Sequence, residues 1–310
     1  MATFPPPAGS VVRDGPGSWR AYLGLTKPGI TLLIVLVAVA GYFVALPSRI
    51  NAVTLAWLIV TGAAASGGAA VLNHYFDRDL DRRMHRTRHR PLAEEAQAPA
   101  RGVALAGGLL LGGGIVGASL TINPLTGLSI LLGGVTYVVV YTIWLKRRSS
   151  WNIVIGGFAG SAPVLAGSAA AVGHWTGGAL ALALLVFLWT PPHFWSLAVL
   201  LREDYARARL PMLPRMEDLR YSGRVIVVSA ALLVPAALLI GFTGALTVPI
   251  LLVLLIVGAV FVALTWPLLR QVTPATARRG FIYSGPYLLL VVAACLVNFA
   301  LVSLGVARFW

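Results

Sequence analysis

The sequence predicts an all-α polytopic membrane protein, nine transmembrane helices around a central cavity, with its chemistry gathered at one membrane face. Three observations carry that prediction. Of 310 residues, 58% are hydrophobic and 11% charged, whereas a soluble domain sits near half apolar and a quarter charged. The apolar residues fall in nine continuous runs, each near the ~20 residues that a helix needs to cross a bilayer. The charges fall almost entirely in alternate loops between those runs.

In chain order, the Pro/Gly-rich start (Pro5-Pro6-Pro7-Ala8-Gly9) has neither the basic start nor the short apolar core of a signal peptide. Residues 1–24 are therefore expected to form a flexible cytoplasmic tail, and 25–310 a single membrane domain. The spanning runs are 28–48, 52–72, 102–120, 124–143, 152–172, 177–200, 224–243, 247–268 and 280–304. They lack the alternating polarity of strands. Glycine pairs four apart (Gly108/Gly112, Gly113/Gly117, Gly156/Gly160) are expected to let helices approach closely. Cys295, the single cysteine, excludes an internal disulfide and reads as a small buried hydrophobe. Asn298, in the last run, reads as interhelical glue.

The net charge of +14 would suggest nucleic acid in a soluble protein. Here 22 of the 24 Lys and Arg lie in the tail and in the loops after runs two, four, six and eight. The positive-inside rule makes that side cytoplasmic, with the N-terminus inside, the C-terminus outside, and a bacterial-type inner membrane as the location. All ten carboxylates fall on the same side. A transporter of ions usually carries ionisable groups within its spans. Their scarcity here favours chemistry at one face.

The segment after run two holds Asn73, Asp77 and Asp81 at four-residue spacing. If the helix continues, they share one face. Three oxygen donors at a membrane surface suit Mg²⁺ held partly by substrate phosphates. The neighbouring Arg86 and Arg90 suit bidentate phosphate contacts. A solvated mixed-charge loop is the competing reading. Pro91 marks an expected end to local helix. After run six, Glu203 and Asp204 open on the same face as this cluster; they either meet it or pair with Arg202 or Arg207. Lys146, Arg147 and Arg148 follow run four there too. His193 follows Pro191-Pro192, which disfavour a continuous helix. Such a break is expected to line a cavity, making His193 a functional candidate or a histidine bonded to a freed carbonyl. His74, His85, His89 and His174 read as loop residues.

These residues resemble the intramembrane aromatic prenyltransferase superfamily, whose first signature is Asn-x₃-Asp-x₃-Asp after the second helix. The chain is most similar to its haem-directed branch. The matching patches are Leu25-Thr26-Lys27-Pro28-Gly29-Ile30, Asp77-Arg78-Asp79-Leu80-Asp81 with Met84, Arg86-Thr87 and Arg90-Pro91. Further on come Tyr141-Thr142, Leu145-Lys146-Arg147, Asn152, Gly156-Gly157 and Pro163. The last are Trp189-Thr190-Pro191-Pro192-His193-Phe194-Trp195, Glu203-Asp204-Tyr205 and Pro211-Met212-Leu213-Pro214. The resemblance implies that Asn73, Asp77 and Asp81 carry Mg²⁺ and the diphosphate of farnesyl diphosphate, with Asp77, Asp81 and His193 catalytic. It makes Lys146 a diphosphate contact, with Arg147 either another or a topology-setting charge. The implied acceptor is a vinyl group of haem B, with haem A synthase or oxidase assembly proteins as candidate partners. A quinone-precursor prenyltransferase and a non-catalytic haem-handling factor are the rival readings. The superfamily's second Asp-x₃-Asp is incomplete, because Ala208 stands four residues after Asp204. An allylic cation would be stabilised by aromatic faces, for which Tyr141, Phe194 and Trp195 are candidates.

Overall fold

The computed structural model describes residues 19–93, 100–213 and 218–306, with backbone alone for 19–21. The greater part of the tail, and Glu94, Glu95, Pro214 and Glu217, lie outside the described residues. All regular secondary structure among the described residues is helical. A short α1 (Trp19–Leu25) leads into α2 (Pro28–Val44), α3 (Ala52–Arg83) and α4 (Ala100–Thr121). Then come α5 (Pro124–Val135), continued by a π-helix over Thr136–Leu145, and α6 (Asn152–Gly156), continued by α7 (Phe158–Val172). Next are α8 (Gly177–Leu200), the short α9 (Arg202–Arg207), α10 (Leu219–Ala231) and α11 (Leu233–Phe242). The chain closes with α12 (Val248–Thr265), a 3₁₀ turn over Trp266–Leu269 and α13 (Pro274–Ser303).

Joined end to end, these make nine apolar rods among the described residues, in the order that the hydrophobic runs predict. Eight are long and apolar enough to cross a membrane, and α2, at 17 residues, is the short one. The rods start where local chemistry allows. Asn51, Asn123 and Thr176 cap α3, α5 and α8 with side-chain oxygens, and Thr273 forms a capping box at α13. Pro235 cannot donate to the Ala231 carbonyl, and the seventh rod is interrupted at Leu232, between α10 and α11. Large apolar side chains such as Leu105, Leu109 and Ile256 are well exposed around the outside. Lipid is their natural solvent, as befits an integral multi-pass membrane protein.

The interior is held by close approach more than by bulk. A β-carbon at Gly41 would collide with the Val164 carbonyl, and one at Gly167 with the Ala38 carbonyl, so α2 and α7 touch backbone to backbone. Gly68 and Gly107 do the same for α3 and α4. The expected glycine pairs are only partly used: Gly108, Gly112 and Gly113 face open space, while Gly156 lies against the Tyr141 ring. Four-residue spacing marks a stripe, but the stripe's rotation toward a neighbour is set by the rest of the bundle. Cys295 is buried as expected. Asn298 accepts from the Thr247 amide and hydroxyl and donates to the Ala245 carbonyl, tying α13 to the turn before α12.

Candidate active site

At about 1.5 Å per residue, the 32 residues of α3 reach roughly 48 Å, well beyond a hydrocarbon core of about 30 Å. The helix therefore carries its polar end past the apolar run without a break. Asn73, Asp77 and Asp81 lie on one face and are buried, Asp77 to 1% exposure. Asp79, two residues off that face, points outward and is gripped by Arg147, whose two terminal nitrogens each donate at 2.7 Å. Arg147 also donates to the Phe76 carbonyl. It therefore braces the outside of α3 and does not line the cavity.

Basic groups converge on the buried face. Lys146 donates to Asp77 Oδ2 at 2.5 Å, and Arg90 to both oxygens of Asp81 at 3.0 Å. Lys27 donates to Asn73 Oδ1 at 2.7 Å and to the Tyr137 hydroxyl at 3.2 Å. Asn73 in turn donates to Asp77 Oδ2 and to the Thr142 hydroxyl. Arg86 lines the same cavity. Two carboxylates thus meet four cations, a surplus that suits a diphosphate. Burial, reinforced by the nearby Arg90, pulls the Lys27 ammonium down to about 8. Burial likewise lowers the Arg86 guanidinium below its ordinary value. Lys27 adopts the left-handed backbone conformation (φ 49°) at the start of α2. A non-glycine residue there costs about 1–2 kcal/mol, and such strain tends to persist where the surrounding structure has a use for it.

The donor set fits a divalent cation. Asp77 Oδ1 is buried with no hydrogen-bond partner among the described residues, a cost that a hard cation would relieve. No group of three or more His, Cys, Asp or Glu with metal-holding geometry occurs among the described residues. Two carboxylates and an amide would leave much of a Mg²⁺ shell to phosphate and water, as Mg²⁺ commonly requires. The Asn73 oxygen, expected to face the metal, is here occupied by Lys27.

The remaining sequence candidates divide. Asp204 accepts from the backbone N–H groups of His85 and Arg86, so it anchors the loop that presents Arg86 to the cavity. Glu203 does not reach the cluster: its side chain is 73% exposed and 3.7 Å from Arg207. Ala208 is buried where a second Asp would stand. The local helix ends before Pro91, at Arg83, and residues 84–93 form turns. His74, expected in a loop, is instead buried within α3, with Nδ1 3.9 Å from Asp81 Oδ2. Seven residues separate the two, which places them on one helix face, and that spacing was the available signal. Lys27 had no sequence signal beyond its place in the resembling patch Leu25–Ile30, and Tyr137 had none.

The π-helix shapes the wall. Each amide there reaches back five residues, as in Lys146 N–H to Tyr141 O, which re-aims the side chains relative to an α-helix. Tyr137 and Tyr141 stack with centroids 6.0 Å apart and 6° between planes. Both line a cavity of 1620 Å³ that extends from Asp81 to Leu58 and Ala166, deep in the bundle.

From α8, Trp189, Thr190, His193, Phe194 and Leu197 line this cavity. The helix does not break at Pro191-Pro192 as expected; it runs unbroken from Gly177 to Leu200. The prolines remove amides that would have reached Phe187 and Leu188, but both rings are buried against neighbouring helices, and packing holds the rod together. His193 stacks on Trp189 at 4.5 Å, lies 5.2 Å from the Phe281 ring and contacts the Ser284 hydroxyl. Trp195 is turned away into a hydrophobic cluster and is not a wall residue.

The model of the UbiA prenyltransferase family matches residues 34–290. A protoheme IX farnesyltransferase of Sulfurisphaera tokodaii is 40% identical over 280 residues, 89% of this chain and 92% of that one. Protoheme IX farnesyltransferase 1 of Paramagnetospirillum magneticum is 42% identical over 277 residues, covering 89% and 97%. Among solved structures, a digeranylgeranylglyceryl phosphate synthase superimposes with a TM-score of 0.75 at 18% identity, over 90% of this chain and 98% of that one. A UbiA homolog from Archaeoglobus fulgidus, bound to GPP and Mg²⁺, gives 0.66 at 17% identity, over 89% and 99%.

Proposed function

The chain belongs to the UbiA prenyltransferase family, and from that premise we propose that it transfers a farnesyl group from farnesyl diphosphate to a vinyl group of haem B, giving haem O for terminal oxidases. The observation that carries this reading is one continuous cavity with two chemistries. Its mouth is a cation-rich cradle around two buried carboxylates, and the rest is mostly apolar, with His193 of α8 on the wall. The relatives of about 40% identity, protoheme IX farnesyltransferases along most of their length, support farnesyl as donor and haem as acceptor.

In this reading Lys27, Arg90 and Lys146 leave their resting partners and, with Arg86, hold the diphosphate oxygens. Asp77 and Asp81, with Asn73, hold Mg²⁺, which when bound supplies positive charge to the departing diphosphate. The allylic C–O bond breaks and its electron pair leaves with the diphosphate. Faces of Tyr137, Tyr141 and Phe194 stabilise the delocalised cation. The vinyl group attacks it through its terminal carbon, and the new cation beside the porphyrin takes a hydroxyl from water as a proton is released. His193 is the wall group placed to touch the haem iron or to accept that proton. Asp204 acts through Arg86, while Arg147 and Glu203 serve outside the cavity. The charged end faces the cytoplasm of a bacterial-type inner membrane.

Incubating the purified protein with farnesyl diphosphate, haem B and Mg²⁺ tests the reading. Mass spectrometry is expected to find haem carrying one farnesyl and one hydroxyl group. Prenylation of a quinone precursor with haem untouched would replace haem as the acceptor.

A further inference from the structure

The acceptor wall is completed by a residue of the last helix. Gly280 of α13 packs so closely that a β-carbon there would crowd Thr265 and the Ser196 hydroxyl. That approach brings Ser284 against two residues of α8 one turn apart. Trp189 Nε1 donates to the Ser284 carbonyl at 2.9 Å, and His193 Nδ1 lies 2.5 Å from the Ser284 Oγ. Ser284 Oγ also lies 2.6 Å from the Phe281 carbonyl, one turn back along its own helix.

A hydroxyl has one hydrogen and two lone pairs, and a carbonyl can only accept. The short contact to Phe281 therefore takes the serine hydrogen. The contact to His193 must then use a serine lone pair and a hydrogen on Nδ1. A neutral imidazole with its hydrogen on Nδ1 has a bare lone pair on Nε2. Nε2 has no protein partner among the described residues, and His193 lines the cavity. The Trp189 ring stacked on the imidazole (16° between planes) holds its plane.

We infer that Ser284 is a positioning residue for the acceptor half of the site: it holds His193 as the Nδ1–H tautomer and so presents an unprotonated Nε2 to the substrate. An Nε2 lone pair can ligate iron or accept a proton, whereas an Nε2–H can do neither. Partners of this kind typically change ligand affinity or activity by about 10–100-fold when removed. The tautomer follows from the protein alone; only its use on haem rests on the function proposed above.

The test is ¹⁵N-histidine NMR of the ligand-free protein in detergent, with the His193 signal assigned by its loss in His193→Gln. The expected result is a protonated Nδ1 and a bare Nε2. In Ser284→Ala, which keeps the Trp189 bond to the main chain, the signal should move to the other tautomer or to a mixture, and Ser284→Thr should restore it. Haem B titration, read by the Soret band, should show ligation through His193 weakened at least tenfold in Ser284→Ala, with farnesyl diphosphate affinity unchanged. A hydrogen on Nε2 in the native protein overturns the inference, as does a tautomer indifferent to Ser284→Ala. A correct tautomer in a protein that neither binds nor modifies haem leaves the positioning intact and removes haem as the acceptor.

Discussion

Lys146 bonds one oxygen of Asp77 while the other oxygen is buried with no partner among the described residues. The carboxylate is thus half neutralised and half waiting, and the open oxygen should make Asp77 indispensable to metal-dependent turnover. Asp77→Ala and Asp81→Ala should each lower kcat/KM by about 100- to 1000-fold, the range seen when a transition-state charge stabiliser is lost. Asp79→Ala, which frees only Arg147 at the surface, should cost about tenfold or less. Product formation titrated with Mg²⁺ checks this; wild-type rates from Asp77→Ala at limiting Mg²⁺ would remove the metal assignment.

Lys27 should impart a pH limit. Its ammonium is held near 8 by burial and by Arg90, so it carries charge below that pH and loses it above. If the charge binds diphosphate, kcat/KM for farnesyl diphosphate should fall as pH rises through about 8, since that parameter reports the free enzyme. Lys27→Arg should move the fall upward by more than a unit. An identical profile in the arginine variant would show that another group sets the limit.

The two halves of the cavity should be separable by binding. His193→Ala should lose haem binding or product while retaining farnesyl diphosphate, and Asp77→Ala should show the reverse. Parallel loss of both ligands in His193→Ala, with a lower thermal midpoint, would return the histidine to a structural role.

Orientation can be read with single cysteines in a Cys295→Ala background. Cysteine at Arg83 or Arg209 should be labelled from the cytoplasm by an impermeant reagent, and cysteine at Thr176 only from outside. Labelling of Arg83 and Arg209 positions from opposite faces would be incompatible with the contact between the Asp204 carboxylate and the loop at His85.

Backbone contact between α2 and α7 should make Gly167 intolerant of size. Gly167→Val must push Ala38 and Tyr42 away from the helix axis, and overpacking of this kind costs about 1–3 kcal/mol or more. A lowered thermal midpoint in detergent, with Gly108→Val near wild type, is the expected pair of results.

Much of this was readable from spacing. Apolar run length located the rods, and the interval from Asn73 to Asp81 placed three side chains on one face while excluding Asp79. What spacing could not show was rotation and reach. Arg147 and Lys146 are adjacent in sequence, yet one grips the outside of α3 and the other its buried face. The π-helix before them depends on tertiary packing and leaves no mark in an apolar run. Pro191 and Pro192 read as a break because local rules know only the lost amides, not the helices that cover them. His74 reads as a loop residue because the apolar run ends at residue 72, although the helix that aligns Asn73 with Asp81 carries it too.

The contacts of the site are also ordered in time. Lys27, Asn73, Asp77, Arg90, Tyr137 and Lys146 all precede residue 150, whereas Trp189, His193 and Ser284 come later, with Ser284 on α13. A chain entering the membrane from its N-terminus therefore makes most of the diphosphate cradle, all but the Asp204 anchor of the Arg86 loop, many residues before the acceptor wall is finished. Until α13 docks, His193 lacks the hydroxyl that orients it. A half-made chain could capture the donor but would have no ordered wall on which to place an acceptor.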